Sequence, residues 1–350
     1  MGRKFDRYMA GLLWLIPVAI LIHYFSDYRT LAFIVATLAL VGLARMLGRA
    51  TENLAAHSNP KVAGILNATF GNFIELSVSI IAISQGYLDL VRGSIVGSIM
   101  VNILLLIGLS VFIGGLKYKE QKFNIISAGI SGTMLVIAVT GLSMPTIYKY
   151  TTGSDPQLLS TLVSIVLALI YIASLLFSLY THKYLFYSED IIISKIEGEW
   201  SKRKSLWVLF FSSIAVTFMA NILVNDLTSF SQKLGLGHIF IGIVVVGVIS
   251  NVAEMIAAIT MVLKNRINIS LEIGASSANQ ISLFVVPVLV FVSSFFDHKF
   301  SLVFNLFEIA ALLSTVMILN YLVTDGRGNW LEGVQLIAVY TILAIAFFFV

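Results

Sequence analysis

The chain has 350 residues, of which 58% are hydrophobic and 11% charged, and its mean hydropathy is +0.96. That balance excludes a water-soluble globular domain and implies a polytopic helical membrane protein. The absence of cysteine excludes thiol redox chemistry, disulfides and thiolate metal sites. A net charge of +4 fits basic cytoplasmic loops better than a nucleic-acid-binding surface.

Apolar runs of about 20 residues favour helical spans over the alternating segments of about ten that build a β-barrel. Eleven spans are expected in chain order, the first being Tyr8–Phe25, Leu31–Arg49 and Lys61–Ser84. Val91–Leu116, Phe123–Ile147 and Leu158–Thr181 follow, and then a charged linker at His182–Lys204. The second half holds Ser205–Asp226, His238–Leu263, Ile269–Phe295, Phe300–Val323 and Trp330–Val350. The first run starts basic but has no clear small-residue cleavage site, so it reads as a retained span. With the N-terminus cytoplasmic, 17 Lys and Arg fall inside and 5 outside. This asymmetry sets the N-terminus in the cytoplasm and the C-terminus outside it. The short tails point to a plasma membrane.

Two polar patches interrupt the third and eighth spans, Gly71-Asn72-Phe73-Ile74-Glu75 and Ser250-Asn251-Val252-Ala253-Glu254. A charge at the centre of a span costs about 2.5–3.5 kcal/mol even on the lenient scale, so two of them call for a polar interior, a partner or an ion. Gly71 and Asn72 are weak helix formers, and local unwinding there would free carbonyls to line a cavity. The two glutamates are 179 residues apart, and the same offset carries spans two to five close to spans seven to ten. The chain therefore reads as an extra N-terminal helix (1–27), a first five-helix repeat (28–182), a cytoplasmic linker (183–204) and a second repeat (205–350). Five is odd, so the repeats must insert in opposite orientations, the inverted-repeat plan of secondary transporters. The echo extends further. Ser98 follows Glu75 by 23 residues and Ser277 follows Glu254 by 23, while Asn102 and Gln280 follow by 27 and 26. Gly93 with Gly97, and Ser270 with Gly274, are small pairs that let helices approach closely.

Two carboxylates with oxygen-bearing neighbours suit a hard cation, and calcium takes six to eight oxygens. The supply is Glu75, Glu254, Asn72, Asn251, Ser98, Ser277, Gln280 and carbonyls near Gly71 and Ser250. No histidine falls in either repeat core, which disfavours zinc and copper. The bland alternative is a pair of protonated glutamates that only bond neighbouring helices. Two carboxylates in one apolar site hold protons until a cation displaces them, and such exclusive occupancy is the minimum requirement for exchange.

On these residues the chain resembles the calcium/cation–proton antiporter family of the calcium/cation antiporter superfamily, bacterial type. Gly71-Asn72-x-x-Glu75, Asn251-x-x-Glu254 and the ninth-span stretch Gly274–Pro287 carry the resemblance. It implies a calcium–proton antiporter in which Glu75 and Glu254 bind calcium or protons. Ser98, Ser277, Gln280 and nearby carbonyls would support them, and spans two and seven would move against the core for alternating access. Ser250 and Met255 stand where the family often has Gly and His. Calcium is then a transported substrate, not a cofactor, and the partners are calcium, protons and the bilayer, with a homo-oligomer left open. A sodium-coupled calcium exchanger is the nearest alternative, but Asn102 and Gln280 are neutral where its extra acid would sit. A cation channel would need a filter-like repeat, and none is visible. An enzyme is not expected, since no His-Glu-x-x-His occurs.

The remaining polar residues have ordinary readings. Glu308 lines a proton path or makes an interhelical hydrogen bond. Glu272 and Glu332 are interfacial, and Asp226 ends its span. His23 and the other four histidines are solvated. The linker, with Glu189, Asp190, Glu197 and Glu199 offset by basic residues, is a connector before it is a calcium sensor.

Overall fold

A computed structural model describes residues 9–58, 60–182 and 200–349. Most of the linker, with its acidic residues, lies outside the described residues. The chain forms helices α1 (Leu15–Phe25), α2 (Arg29–Ala56), α3 (Pro60–Phe70) and α4 (Phe73–Ser84). Next come α5 (Leu88–Tyr118), α6 (Ile125–Thr152), α7 (Gln157–Thr181) and α8 (Lys202–Leu234). The last are α9 (His238–Ser250), α10 (Val252–Leu263), α11 (Ile267–Ser293), α12 (Leu306–Leu322) and α13 (Trp330–Phe348). Among the described residues seven helices are long and apolar enough to cross a membrane, or eight if the bent pair α9–α10 counts as one.

The shortfall against the expected spans has local causes. The third span is split between α3 and α4 at Gly71 and Asn72. The tenth starts late, because the residues from Phe300 to Asn305 are not helical. Phe300, Leu302 and Phe304 are buried in alternation there, a period of two that fits extended chain. Helical hydroxyls satisfy this segment's backbone: Leu302 N donates to Ser160 Oγ (3.0 Å) and Phe304 N to Thr146 Oγ1 (2.9 Å).

Burial divides the helices. The apolar stretch of α5 is 83% buried and that of α11 67%, against 17% for α7 and 22% for α13. The first two therefore form the core, and the others present apolar flanks to the surroundings. Glycines allow the core to close. A Cβ on Gly97 of α5 would lie 2.5 Å from the Ile243 Cα of α9, and one on Gly274 of α11 would lie 2.8 Å from the Asn102 carbonyl oxygen of α5. Both small pairs read from the sequence thus sit where helices cross.

Helices α2 and α8 make the most extensive helix pair in the protein. Phe33 stacks on Phe230 at 4.1 Å near one end. Near the other, the Arg49 guanidinium lies 5.0 Å over the Trp200 ring and Trp200 N donates to Asn53 Oδ1 (3.0 Å). At the end of the molecule that carries Lys117, Lys122, Lys264 and Arg266, here called the basic end, a short antiparallel pair joins β1 (Glu120–Lys122) to β2 (Arg327–Asn329). Lys117 Nζ and Tyr118 OH both donate to the Leu263 carbonyl there.

Two expectations are corrected at the opposite end. Asp226 lies well inside α8 and is 2% exposed. His23 is not solvated: it is 7% exposed, and its Nδ1 is 2.8 Å from Asp226 Oδ2. Arg29 Nη1 is 3.6 Å from Asp226 Oδ1. The reason is that α8 runs beyond its expected end, which brings its acid beside the ends of α1 and α2.

Candidate functional site

The site forms where two helices are interrupted. Asn72 (φ −107°, ψ 22°) precedes α4 and Asn251 (φ −100°, ψ 11°) precedes α10. The same non-helical backbone state thus occurs 179 residues apart. At Asn251 the chain bends by 52°. Each glutamate falls in the first turn of the half-helix that follows, where unpaired amides and the helix dipole favour negative charge. π-Helical stretches lie at 101–106 in α5, which includes Asn102, and at 281–285 in α11, directly after Gln280. Such bulges concentrate at functional sites.

The asparagine side chains do not cap their own helices. They reach across to the crossing helices instead. Asn72 Nδ2 donates to Gln280 Oε1 of α11 at 2.8 Å. Asn251 Oδ1 accepts from Asn102 Nδ2 of α5 at 2.6 Å. Asn102 Nδ2 also donates to Ser277 Oγ (2.9 Å), and Asn251 Nδ2 donates to Ser98 Oγ (3.1 Å). The hydroxyls of Ser98 and Ser250 are 3.5 Å apart. Ser98 and Asn102 are wholly buried, and Glu75, Asn72, Ser250, Asn251 and Ser277 are all under 9% exposed. Glu254 lines one cavity with Asn72, Ser277 and Gln280, and Glu75 lies three residues after Asn72 in the first turn of its half-helix. The structure thus gathers every main candidate.

Glu308 stands apart from it. Asn305 N donates to Glu308 Oε2 and Glu308 N to Asn305 Oδ1, both at 2.7 Å. This is a capping box at the start of α12, neither an interhelical bond nor a member of the site. The late start of α12 puts Glu308 in its first turn rather than well inside a span.

Three buried oxygens of the cluster have no hydrogen-bond partner: Glu75 Oε2, Glu254 Oε2 and Asn102 Oδ1. Buried acceptors are normally satisfied, so a set of orphaned oxygens beside two carboxylates fits a hard cation or protons. Among the described residues no three His, Asp or Glu side chains gather to hold a metal. Amides and hydroxyls must therefore supply the rest of any cation's shell, which suits calcium better than zinc.

A cavity of about 310 Å³ leads to this cluster. Asn124 and Asn268, which adjoin the basic loops, line it together with Asn72, Glu254, Ser277 and Gln280. Glu52 of α2 and Glu272 of α11 also line it. Glu272, expected at an interface, is therefore a cavity residue, and Glu52 carries no signal in the sequence. The signal for Glu272 was present as the stripe Glu272, Ser276, Gln280 at intervals of four along one helix face.

Comparison with known proteins follows the same lines. The profile of the sodium/calcium exchanger protein family matches residues 28–180 and 204–349. The Ca²⁺/H⁺ antiporter ChaA of Bacillus subtilis is 38% identical over 99% of both chains. The Ca²⁺/H⁺ antiporter of Synechocystis is 37% identical over 95% of both. Among solved structures, native YfkE superposes with a TM-score of 0.86 at 34% identity, covering 98% of this chain and all of its own.

Proposed function

The chain belongs to the sodium/calcium exchanger protein family, and within it to the calcium/cation–proton antiporters. From that premise we propose that it is a secondary active antiporter that exports cytosolic calcium in exchange for protons. Glu75 and Glu254 bind one calcium ion or take up protons, never both together. Asn72, Asn251, Ser98, Ser277 and Gln280, with carbonyls around Gly71 and Ser250, complete or orient the site. The observation that carries the reading is the meeting of two half-helix starts, each with a buried carboxylate oxygen that lacks a partner.

The architecture follows from the same reading. Taking α3–α4 and α9–α10 each as one broken span gives eleven. The two stretches matched by the family profile then correspond to two inverted five-helix repeats, with α1 outside them. The basic end is cytoplasmic by the positive-inside rule, so the cavity to Glu254 is the cytosolic entrance and the C-terminus is extracytoplasmic. Helices α2 and α8, joined along both ends, move as one panel against the α5–α11 core and expose the site to each side in turn. The protein resides in a plasma membrane.

Calcium uptake into proteoliposomes under an imposed pH gradient without sodium tests this. Uptake that follows the proton gradient and is lost in both Glu75→Gln and Glu254→Gln is the expected result. Uptake that requires sodium would move the protein to the sodium-coupled class. Flux without a counter-ion would make it a channel.

A further inference from the structure

Glu272 is an acid that the exchange mechanism above does not use, and its surroundings are unusual. It projects from α11 and lines two cavities at once. One is the cation entrance; the other, of about 330 Å³, lies against α6 and α7. Ser131, Ser276 and Gln280 line both as well. Ser127 Oγ donates to Glu272 Oε2 at 3.2 Å. Gln280 Nε2 donates to Ser276 Oγ at 3.3 Å, and Gln280 in turn accepts from Asn72. A polar line therefore runs down one face of α11 from Glu272 to the first motif. The titratable groups that face Glu272 across the two cavities are Glu52 of α2, Glu254 of α10 and Tyr171 of α7. Among the described residues no Lys, Arg or His lines either cavity.

The second cavity holds polar atoms that need a partner. Tyr171 OH and Asn279 Oδ1 both line it and are buried without a hydrogen bond. Tyr171 is 7% exposed and Asn279 5%. Buried polar atoms of this kind are met by ordered water. Water there would touch Glu272 from the side away from the cation entrance.

We propose that Glu272 is the proton relay of the exchange cycle, loaded from the cation entrance and unloaded through the side cavity. The proposal rests on the antiporter reading. A proton released into the entrance as calcium arrives is taken up there by the Glu272 carboxylate, forming an O–H bond. Glu272 then releases it to water on its other face. Cation and proton thus cross the basic end by adjoining but separate routes, so an incoming cation does not meet an outgoing proton in one file. The group acts through the proton it carries and not as a calcium ligand.

The test compares wild type, Glu272→Gln, Glu272→Asp and Ser127→Ala in sodium-free proteoliposomes. Exchange rate, half-saturating calcium and the dependence of rate on pH at the basic end are measured. Glu272→Gln should slow exchange roughly tenfold, which is modest for loss of a proton-transfer group, and should flatten the pH profile. Half-saturating calcium should stay within about twofold, because the site ligands are intact. Glu272→Asp should recover most of the rate, and Ser127→Ala should shift the pH profile without abolishing exchange. A Glu272→Gln protein with the wild-type rate and profile overturns the relay. So does a loss of calcium affinity in step with rate at an unchanged profile, which would make Glu272 a cation ligand. If Glu272→Gln does not fold, an unshifted profile in Ser127→Ala and Glu272→Asp overturns the relay instead. Wild type that moves no protons refutes the antiporter reading itself, a distinct result.

Discussion

The two interrupted helices share an asparagine in the same backbone state and a glutamate three residues later, yet their environments differ. Around the second motif, Asn251 is held by Asn102 and Ser98 of α5 and is 1% exposed, while its partner acid Glu254 faces the cavity. Around the first, Asn72 lines the cavity, while Glu75, 3% exposed, is not among the residues that line it. Each motif thus offers one group to the entrance and buries the other. The lesson is that sequence symmetry does not give equal access. On the proposed mechanism, Glu254 would meet an arriving ion and Glu75 would complete its binding.

The largest effect tests whether both acids are needed despite that difference. Glu75→Gln and Glu254→Gln keep the side chain's shape but remove the charge that the proposed mechanism places next to the ion. Loss of one buried charge partner is about 3 kcal/mol or more, so each variant should lower calcium-dependent exchange at least ~100-fold. If Glu75→Gln retained substantial exchange, the buried acid would be structural and only Glu254 would serve the ion.

The accessibility difference can be measured directly, because the chain has no cysteine. A cysteine at Ala257, which lines the cavity, should react from the basic end with a membrane-impermeant thiol reagent. A cysteine at Ser79, 1% exposed and one turn beyond Glu75, should react more slowly by roughly tenfold or more, since thiol reactivity follows access. Equal rates would remove the asymmetry.

A smaller effect comes from the helix that holds the second motif. Asn102 donates to Asn251, Ser277 and the Ser98 carbonyl. Asn102→Ala leaves buried acceptors unsatisfied, at a cost of about 1–3 kcal/mol. The expected outcome is exchange slowed roughly tenfold, with a lowered unfolding midpoint. Unchanged exchange in a protein of unchanged stability would show that Asn251 does not depend on Asn102 for its position.

Much of this was legible in the chain. The cost of intramembrane charge singles out Glu75 and Glu254, and the 179-residue offset between them pairs Ser98 with Ser277 and, one residue out of step, Asn102 with Gln280. The small pairs were legible because close helix crossings tolerate little else. What was not legible depended on where elements end. Glu308 read as deep in a span because Phe300–Asn305 is apolar, and hydropathy does not separate an extended buried segment from a helix. His23 read as solvated because the length of α8 past Asp226 could not be known. Glu272 read as interfacial because its position near a helix start was visible, but the cavities on either side arise from packing among distant helices.

Glu308 gives the sharpest control on the comparison, with the smallest effect. It is another wholly buried acid, and one of its oxygens, Oε1, also lacks a partner. Burial and an orphaned oxygen are thus shared with Glu75, while the place in the fold is not. Glu308 closes a capping box on Asn305; Glu75 follows the helix interruption at Asn72. Glu308→Gln keeps an oxygen to accept from Asn305 N, so the box survives and stability should fall by about 1 kcal/mol or less. Exchange should stay within about twofold of wild type, the margin such a small change in free energy permits. A loss as large as that of Glu75→Gln, in a protein whose unfolding midpoint is unchanged, would mean that any buried acid in this fold carries ions. The pairing of the two motifs would then no longer explain why these two glutamates do.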